Sequence, residues 1–300
     1  LHADTWRNEG RAGLVALLSV GVTLANILLN YVLIGELGLG VAGSAWGTAL
    51  AQVFGLGLLL WLRGRGQGAI PLLALRRYRW TGGWGRLAGL GAPLSLSFIG
   101  MAVVSACVIV SLRLTAGADY ADTIAAYGIV TRILGFAYLP SMAFALALQS
   151  IVGNNWGAGL YDRVRSVLHI AMGTAFVYSL GMEGLFLTGG HAIGAAFIGD
   201  AGVIARVAGI LRLMAVFYLF TGPVLALAMY FQSIGQPQKA AVLTLSKAFV
   251  LLPVLIAALA ATRGAGAVWF AFPLSDGGMA FVAAAIFITT MIVWFVRTEV

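Results

Sequence analysis

Ionisable and amide side chains are rare inside the long apolar stretches of this sequence, and those present are the candidates for chemistry. Asn26 and Asn30 are four apart, one helical turn, so their amide oxygens share a helix face. Two stacked amide oxygens can help coordinate Na⁺ or hold a carboxylate partner, and they can equally make two interhelical hydrogen bonds. Arg132 and Asp276 each fall about eight or nine residues inside a predicted span, ~12–14 Å below the same outer face at ~1.5 Å per residue. Matching depth predicts that they pair, or that both line a wet cavity, because an unpaired charge there costs several kcal/mol. Glu183 sits about four residues from the outer end of its predicted span and can titrate in a cavity or snorkel to water. Lys247, about a turn and a half into its own span, has the same two options.

Covalent chemistry finds no support. His2, His169 and His191 lack a carboxylate or cysteine at ligand spacing, so no metal site is expected. No Ser/His/Asp constellation can be assembled, and an enzyme is not expected. Gly38-Leu-Gly40-Val-Ala-Gly43 matches a dinucleotide-binding pattern, but it lies between two apolar spans and lacks the βαβ setting. It reads as a tight turn with close helix packing. Gly85 with Gly89, and Gly153 with Gly157, have the spacing of close helix approach as well.

The elements that must carry these residues are membrane helices. The 300 residues are 61% hydrophobic and 9% charged, with a mean hydropathy of +0.98; a soluble globule has an apolar share nearer ~45–50%. The formal charge of +8 is spread between apolar runs rather than gathered on a polar surface, which excludes a nucleic-acid partner and suits the positive-inside rule. A lone Cys107 excludes an internal disulfide. Leu1 is not a start methionine and no signal peptide precedes the first run, so further sequence is expected upstream.

About eight spans follow from apolar runs of ~20 residues: 12–34, 42–62, 87–112, 124–151, 164–187, 203–231, 240–261 and 267–296. The fold class is all-α and integral to the membrane, multi-pass. One side collects Arg7, Arg11, Arg63, Arg65, Arg76, Arg77, Arg79, Arg86, Arg163, Arg165, Lys239 and Arg297 and is expected to be cytoplasmic; Arg113, Arg206 and Arg263 fall opposite. The polar connection 63–86 is the expected boundary between a lobe containing 1–62 and a lobe of 87–300, with Trp80 and Trp84 suited to the interface. Tyr127, Gln149, Tyr230 and Gln232 can anchor span ends. Tyr138, Met142, Phe144 and Phe217 can line an adaptable apolar cavity. Pro140, Pro223, Pro253 and Pro273 are each expected to remove a hydrogen bond within a span and mark a bend.

Landmarks recur. Gly10 and Gly235 are 225 residues apart and Gly40 and Gly266 are 226 apart, so that Gly10 to Gly40 and Gly235 to Gly266 each bracket one span. Spans one and two then repeat as spans seven and eight. An even offset of six spans makes the repeat parallel, about an axis along the membrane normal, and predicts roughly twelve helices in two six-helix lobes, with four of them upstream of Leu1.

Ala126-Tyr-Gly-Ile-Val-Thr-Arg-Ile-Leu134, Gln149-Ser-Ile-Val-Gly-Asn-Asn-Trp-Gly-Ala-Gly159, Tyr230-Phe-Gln-Ser-Ile-Gly-Gln-Pro237 and Val268-Trp-Phe-Ala-Phe-Pro-Leu-Ser-Asp276 resemble the multidrug and toxic compound extrusion (MATE) transporters, and Arg7-Asn-Glu-Gly10 and Asn26-Ile-Leu-Leu-Asn30 agree with them. The resemblance implies a twelve-helix antiporter in the plasma (inner) membrane that exports cationic or amphipathic drugs against Na⁺ or H⁺ by alternating access, without a cofactor and as a monomer. It implies that 1–62 holds the fifth and sixth helices and 87–300 the seventh to twelfth. Asn26 and Asn30 would then help bind the cation with an aspartate of the first helix, and Tyr127, Arg132, Met142, Gln149, Glu183 and Asp276 would be cavity or intramembrane polar residues. Members with acidic residues on the seventh and tenth helices are not matched, because 87–112 and 203–231 contain none. A lipid-linked saccharide flippase of the same broad fold is the alternative. It would need a lipid-accessible basic cavity, and Arg132 is the deep basic residue available.

Overall fold

The computed structural model describes residues 2–66 and 82–298, with side chains described for 3–66 and 82–291. Arg76, Arg77, Arg79 and Trp80 lie outside the described residues, as do the side chains of His2 and Arg297. Every regular element among the described residues is helical. Seven helices are long and apolar enough to cross a membrane, or eight if one bent pair is a single span. With this composition the chain is a multi-pass integral membrane protein.

The chain divides into two compact units, residues 1–84 and 85–300. In the first, the short α1 (His2–Asn8) precedes α2 (Ala12–Asn30), which runs on through a π-helical turn, Tyr31–Glu36, before α3 (Gly40–Gly64). Helices α2 and α3 can approach closely because α3 presents small buried residues every fourth position: Gly43, Gly47, Ala51 and Gly55. A Cβ on Gly43 would lie 2.9 Å from the Leu33 carbonyl oxygen, and one on Gly55 2.5 Å from Val22. Gly38 and Gly40 both have positive φ, so the glycine pattern here is a turn and a packing ridge. At the N-terminal end the buried Trp6 ring lies under the guanidinium groups of Arg11 (5.3 Å) and Arg63 (5.1 Å), and Arg63 bonds Glu9 at 3.2 Å.

The second unit contains α4 (Trp84–Thr115, whose first residue falls at the boundary), α5 (Tyr120–Gly157), α6 (Tyr161–Ala195), α7 (Ala201–Ala215), α8 (Thr221–Ser233), α9 (Pro237–Ser246), α10 (Leu252–Arg263) and α11 (Ala271–Thr298). A 3₁₀ turn, Ala265–Phe270, leads into α11, and a π-helical turn, Lys247–Leu251, joins α9 to α10. Two buried apolar clusters hold the bundle. One gathers Val108, Val130, Phe186, Leu211, Ile256 and Val268; the other gathers Val152, Leu168, Leu227, Phe231, Leu243 and Met279. The helices extend past the apolar runs at both ends. α5, for example, reaches Gly157, so the connection to α6 is the three residues 158–160. There Gly159 (φ 73°) closes a Schellman motif in which the Leu160 N–H donates to the Asn155 carbonyl at 2.9 Å. Gly10 and Gly235 close α1 and α8 the same way, through Arg11 N–H to Trp6 O and Gln236 N–H to Phe231 O.

Proline placement corrects part of the expectation of four mid-span breaks. Pro223 and Pro273 fall in the first turn of α8 and α11, each following a 3₁₀ turn, where proline is well tolerated. Pro253 lies mid-span as expected, directly after the π-helical turn within the continuous helical stretch Pro237–Arg263, and Pro140 and Pro93 lie inside α5 and α4. The sharp break lies elsewhere, between α7 and α8, which turn by 52°. Val216 is extended and Phe217 takes φ 70°, ψ 12°, the single positive-φ non-glycine among the described residues. Gly85, Gly89, Gly153 and Gly157 have no neighbour within 4 Å of where a Cβ would sit, so the close helix approach expected at those pairs is not found among the described residues.

Candidate functional site

The deep charges of the second unit meet differently from the expectation. Asp276 is 7% exposed on α11, and its Oδ1 accepts from the Nζ of Lys247, the first residue of the π-helical turn. Arg132 is exposed on α5 and has no ion pair among the described residues, so the predicted Arg132–Asp276 pair is overturned. Equal depth was a necessary condition, but helix face decided the outcome. Val130, Ile133 and Ala137 are the buried positions around Arg132, and at 100° per residue Arg132 points away from them. Lys247, partnered and half-buried, does not snorkel.

Glu183 is likewise drawn inward. It is 9% exposed on α6, and its carboxylate accepts from the backbone N–H of Leu219 at 2.8 Å and of Phe217 at 3.4 Å. One turn earlier on the same face, buried Ser179 accepts from the Gly222 N–H at 3.2 Å. α8 can come this close because Gly222 has no side chain: a Cβ there would lie 2.4 Å from Ser179 Oγ. These two side chains satisfy N–H groups that a broken helix exposes at the start of its second half. Tyr218, between them, is buried with its ring edge-on to Phe186 at 5.5 Å.

Beside the break, Pro140, Ser141, Phe144, Ala145, Thr174, Ala175, Tyr178, Gly222 and Ala226 line a cleft of about 110 Å³. Tyr178 donates to the Ala137 carbonyl at 2.9 Å, in the turn that Pro140 weakens. Met142 is not in the lining; its sulfur lies 3.7 Å from the Tyr138 hydroxyl. Tyr127 is buried against Trp269, ring centroids 5.6 Å apart, so it is a core residue rather than an interface anchor. Gln149 is half-buried in the C-terminal part of α5, and Gln232 donates to the Leu90 carbonyl at 2.6 Å.

In the first unit Asn26 and Asn30 do share a face. The Asn30 amide donates to Asn26 Oδ1 at 3.3 Å, and the Asn26 amide donates to Thr48 of α3 at 3.2 Å. Asn30 Oδ1 is buried against Gly47 and accepts no hydrogen bond among the described residues. An oxygen of this kind is a free ligand for a cation. Among the described residues no three His, Cys, Asp or Glu side chains gather as a metal site would require.

Ser179, Thr48 and the Lys247 pairing had no signal in the sequence that distinguished them from ordinary helix polar residues. The break at Phe217 had one, Gly222-Pro223 inside an apolar run, which marks the start of a new helix.

The geometry sits on a fold shared with known transporters. A MOP superfamily transporter from Pyrococcus furiosus superposes with a TM-score of 0.82 at 23% identity, over 93% of this chain and 62% of that one. The multidrug resistance protein PmpM of Pseudomonas aeruginosa is 28% identical over 215 residues, covering 69% of this chain and 44% of the relative. The multidrug export protein MepA of Staphylococcus haemolyticus is 24% identical over 261 residues, covering 84% and 54%. The chain thus spans about half the length of the curated relatives it matches. The family model MatE matches residues 93–258, more than half of the chain, and the protein belongs to this family, the MATE transporters.

Proposed function

We propose that this chain is part of a secondary active multidrug efflux transporter of the plasma membrane, which exchanges cationic or amphipathic drugs for Na⁺ or H⁺. The observation that carries the reading is the set of ionisable groups held inside an apolar helical unit, Glu183, Lys247 and Asp276, beneath a broken span. Such groups are costly in a membrane and belong to ion and substrate pathways. The names of the relatives, multidrug resistance and multidrug export, supply the substrate class.

In this reading residues 1–62 and 87–300 belong to two lobes joined through 63–86, and the chain works as a monomer. Cation binding at Asn26 and Asn30 favours one of two access states by its differential affinity for them; the unpartnered Asn30 oxygen supports that assignment. Tyr127, Met142 and Gln149 then shape or support the drug path. The lipid-linked saccharide alternative finds no support: Arg132, the deep basic residue it needs, does not line the cleft.

Dye efflux by the full-length protein in vesicles tests this, with Na⁺ and H⁺ gradients imposed in turn. Efflux driven by one gradient is expected. Efflux indifferent to both would eliminate antiport.

A further inference from the structure

Three hydroxyls converge on the cleft between α5, α6 and α8, those of Ser141, Thr174 and Tyr178. Hydroxyls elsewhere in these helices bond the carbonyl one turn back, as Ser97, Thr115, Thr188 and Ser233 do. Ser141 and Thr174 depart from that pattern. Neither makes a hydrogen bond among the described residues, and the Ala137 carbonyl, one turn before Ser141, is taken by the Tyr178 hydroxyl at 2.9 Å. Ser141 is 9% exposed. A hydroxyl buried to that degree without a partner is costly, and it calls for an occupant that can bond it.

The rest of the lining fixes the chemistry of that occupant. Pro140, Phe144, Ala145, Ala175 and Ala226 are apolar, and among the described residues that line the cleft none is charged. An ion would enter without a counter-charge. The volume of about 110 Å³ compares with ~150 Å³ for an apolar protein cavity that takes up benzene, so the occupant has only a few carbons. Its route in is apolar as well. Pro140 and Thr174 are exposed at the mouth, well inside the 38-residue α5 and the 35-residue α6. Around them Phe136, Leu139, Ile170 and Val177 are exposed and apolar. Mid-span lies about 15 Å from water, half of a ~30 Å hydrocarbon core, which favours molecules dissolved in hydrocarbon over water itself.

We propose that this cleft binds a small uncharged amphiphile, an alcohol or phenol of roughly four to six carbons. Its apolar part lies against Phe144 and the alanines, and its hydroxyl meets those of Ser141 and Thr174. Every lining residue belongs to the second unit, so the site is separate from Asn26 and Asn30, and its occupation does not rest on the antiporter reading.

Photolabelling of the full-length protein in lipid nanodiscs tests this, with a diazirine-bearing butanol and its hydroxyl-free butane counterpart as probes. Labelled residues are read by mass spectrometry and normalised to Ile170 and Val177, which report partition into the bilayer. The butanol probe is expected to label Phe144, Thr174 and Tyr178 saturably, and excess butanol to displace it. The butane probe should label them about fivefold less, the effect of one lost hydrogen bond. The butanol probe should fall by the same factor on Ser141→Ala combined with Thr174→Val, read at Phe144 and Tyr178. Thr174→Phe, at the exposed mouth, should abolish labelling of Phe144 and Tyr178. Equal labelling by the two probes overturns the proposal, because the cleft would then be an apolar slot. Unsaturable labelling no stronger than at Ile170 and Val177 overturns it as partition alone. A cleft that neither probe labels also overturns it and leaves the hydroxyls to water. If the double variant does not fold, the wild type with both probes and Thr174→Phe decide.

Discussion

Lys247 and Asp276 form an ion pair between the π-helical turn that precedes α10 and α11, with Asp276 buried and Lys247 partly exposed. The π-helical turn begins at Lys247 itself, so the same residue that supplies the ammonium also marks a local widening of the helix. Charge and backbone irregularity are placed together, where a span can yield with least loss of packing.

Breaking this pair from one side should be costly. Lys247→Met is expected to lower the stability of the full-length protein by about 3 kcal/mol, because it leaves Asp276 buried without its cation. Lys247→Met with Asp276→Leu should recover most of that loss. Thermal unfolding in detergent checks both. A double variant no more stable than the single one would show that the pair does not act as a unit.

How far this was legible depended on which coordinate a residue's position encodes. Apolar length placed the spans, and the turn glycines Gly10, Gly159 and Gly235 are readable because only a left-handed C-cap needs them there. Counting along a span matches Asp276 with Arg132 by expected depth alone, whereas the ammonium that meets Asp276 is that of Lys247. The azimuth was not readable. In a helix that is apolar all round, both lipid and protein faces carry the same residue types, so no stripe reveals that Arg132 turns outward while Glu183 turns in. Asn26 and Asn30 escaped this ambiguity because four-residue spacing fixes their shared face whatever the helix rotation.

The Asn pair is also the point where packing and function can be separated. A Cβ on Gly47 would lie 2.2 Å from Asn30 Oδ1, whereas Gly57 on the same helix has open space. Gly47→Ala should displace the Asn30 amide, cost about 1–3 kcal/mol and weaken any cation effect on efflux. Gly57→Ala should be neutral or stabilising by about 0.5–1 kcal/mol. Thermal unfolding of the two variants, with and without Na⁺, tells them apart. Equal behaviour would mean that α3 does not depend on the close approach at Gly47.

Arg63 tests the α1 anchor. Its guanidinium both stacks over the Trp6 ring and bonds Glu9. A lysine keeps the charge but loses the planar stack and the fork of donors. Arg63→Lys should therefore destabilise by about 1–2 kcal/mol, and amide exchange of residues 3–10 should accelerate. Exchange unchanged from the wild type would show that charge alone holds α1.

Phe217 carries the last prediction, which concerns conformation rather than charge. Its φ of 70° lies in the left-handed region, where a β-carbon crowds the following carbonyl and costs ~1–2 kcal/mol. The ring is nearly half exposed and only loosely packed, 6.2 Å from Phe220 and 3.6 Å from where a Gly277 Cβ would sit. Relief of backbone strain should therefore outweigh the lost contact: Phe217→Gly is expected to be neutral or stabilising by up to about 1 kcal/mol. Phe217→Ile keeps the apolar bulk but branches at Cβ, where the left-handed region is least tolerant, and should cost about 2 kcal/mol. Asn, which tolerates that region, should fall between them. The ordering Gly, Asn, Phe, Ile in thermal stability checks the assignment. An ordering that follows side-chain hydrophobicity instead would mean that the break is held by the Phe217 ring and not by the backbone hydrogen bonds to Glu183 and Ser179.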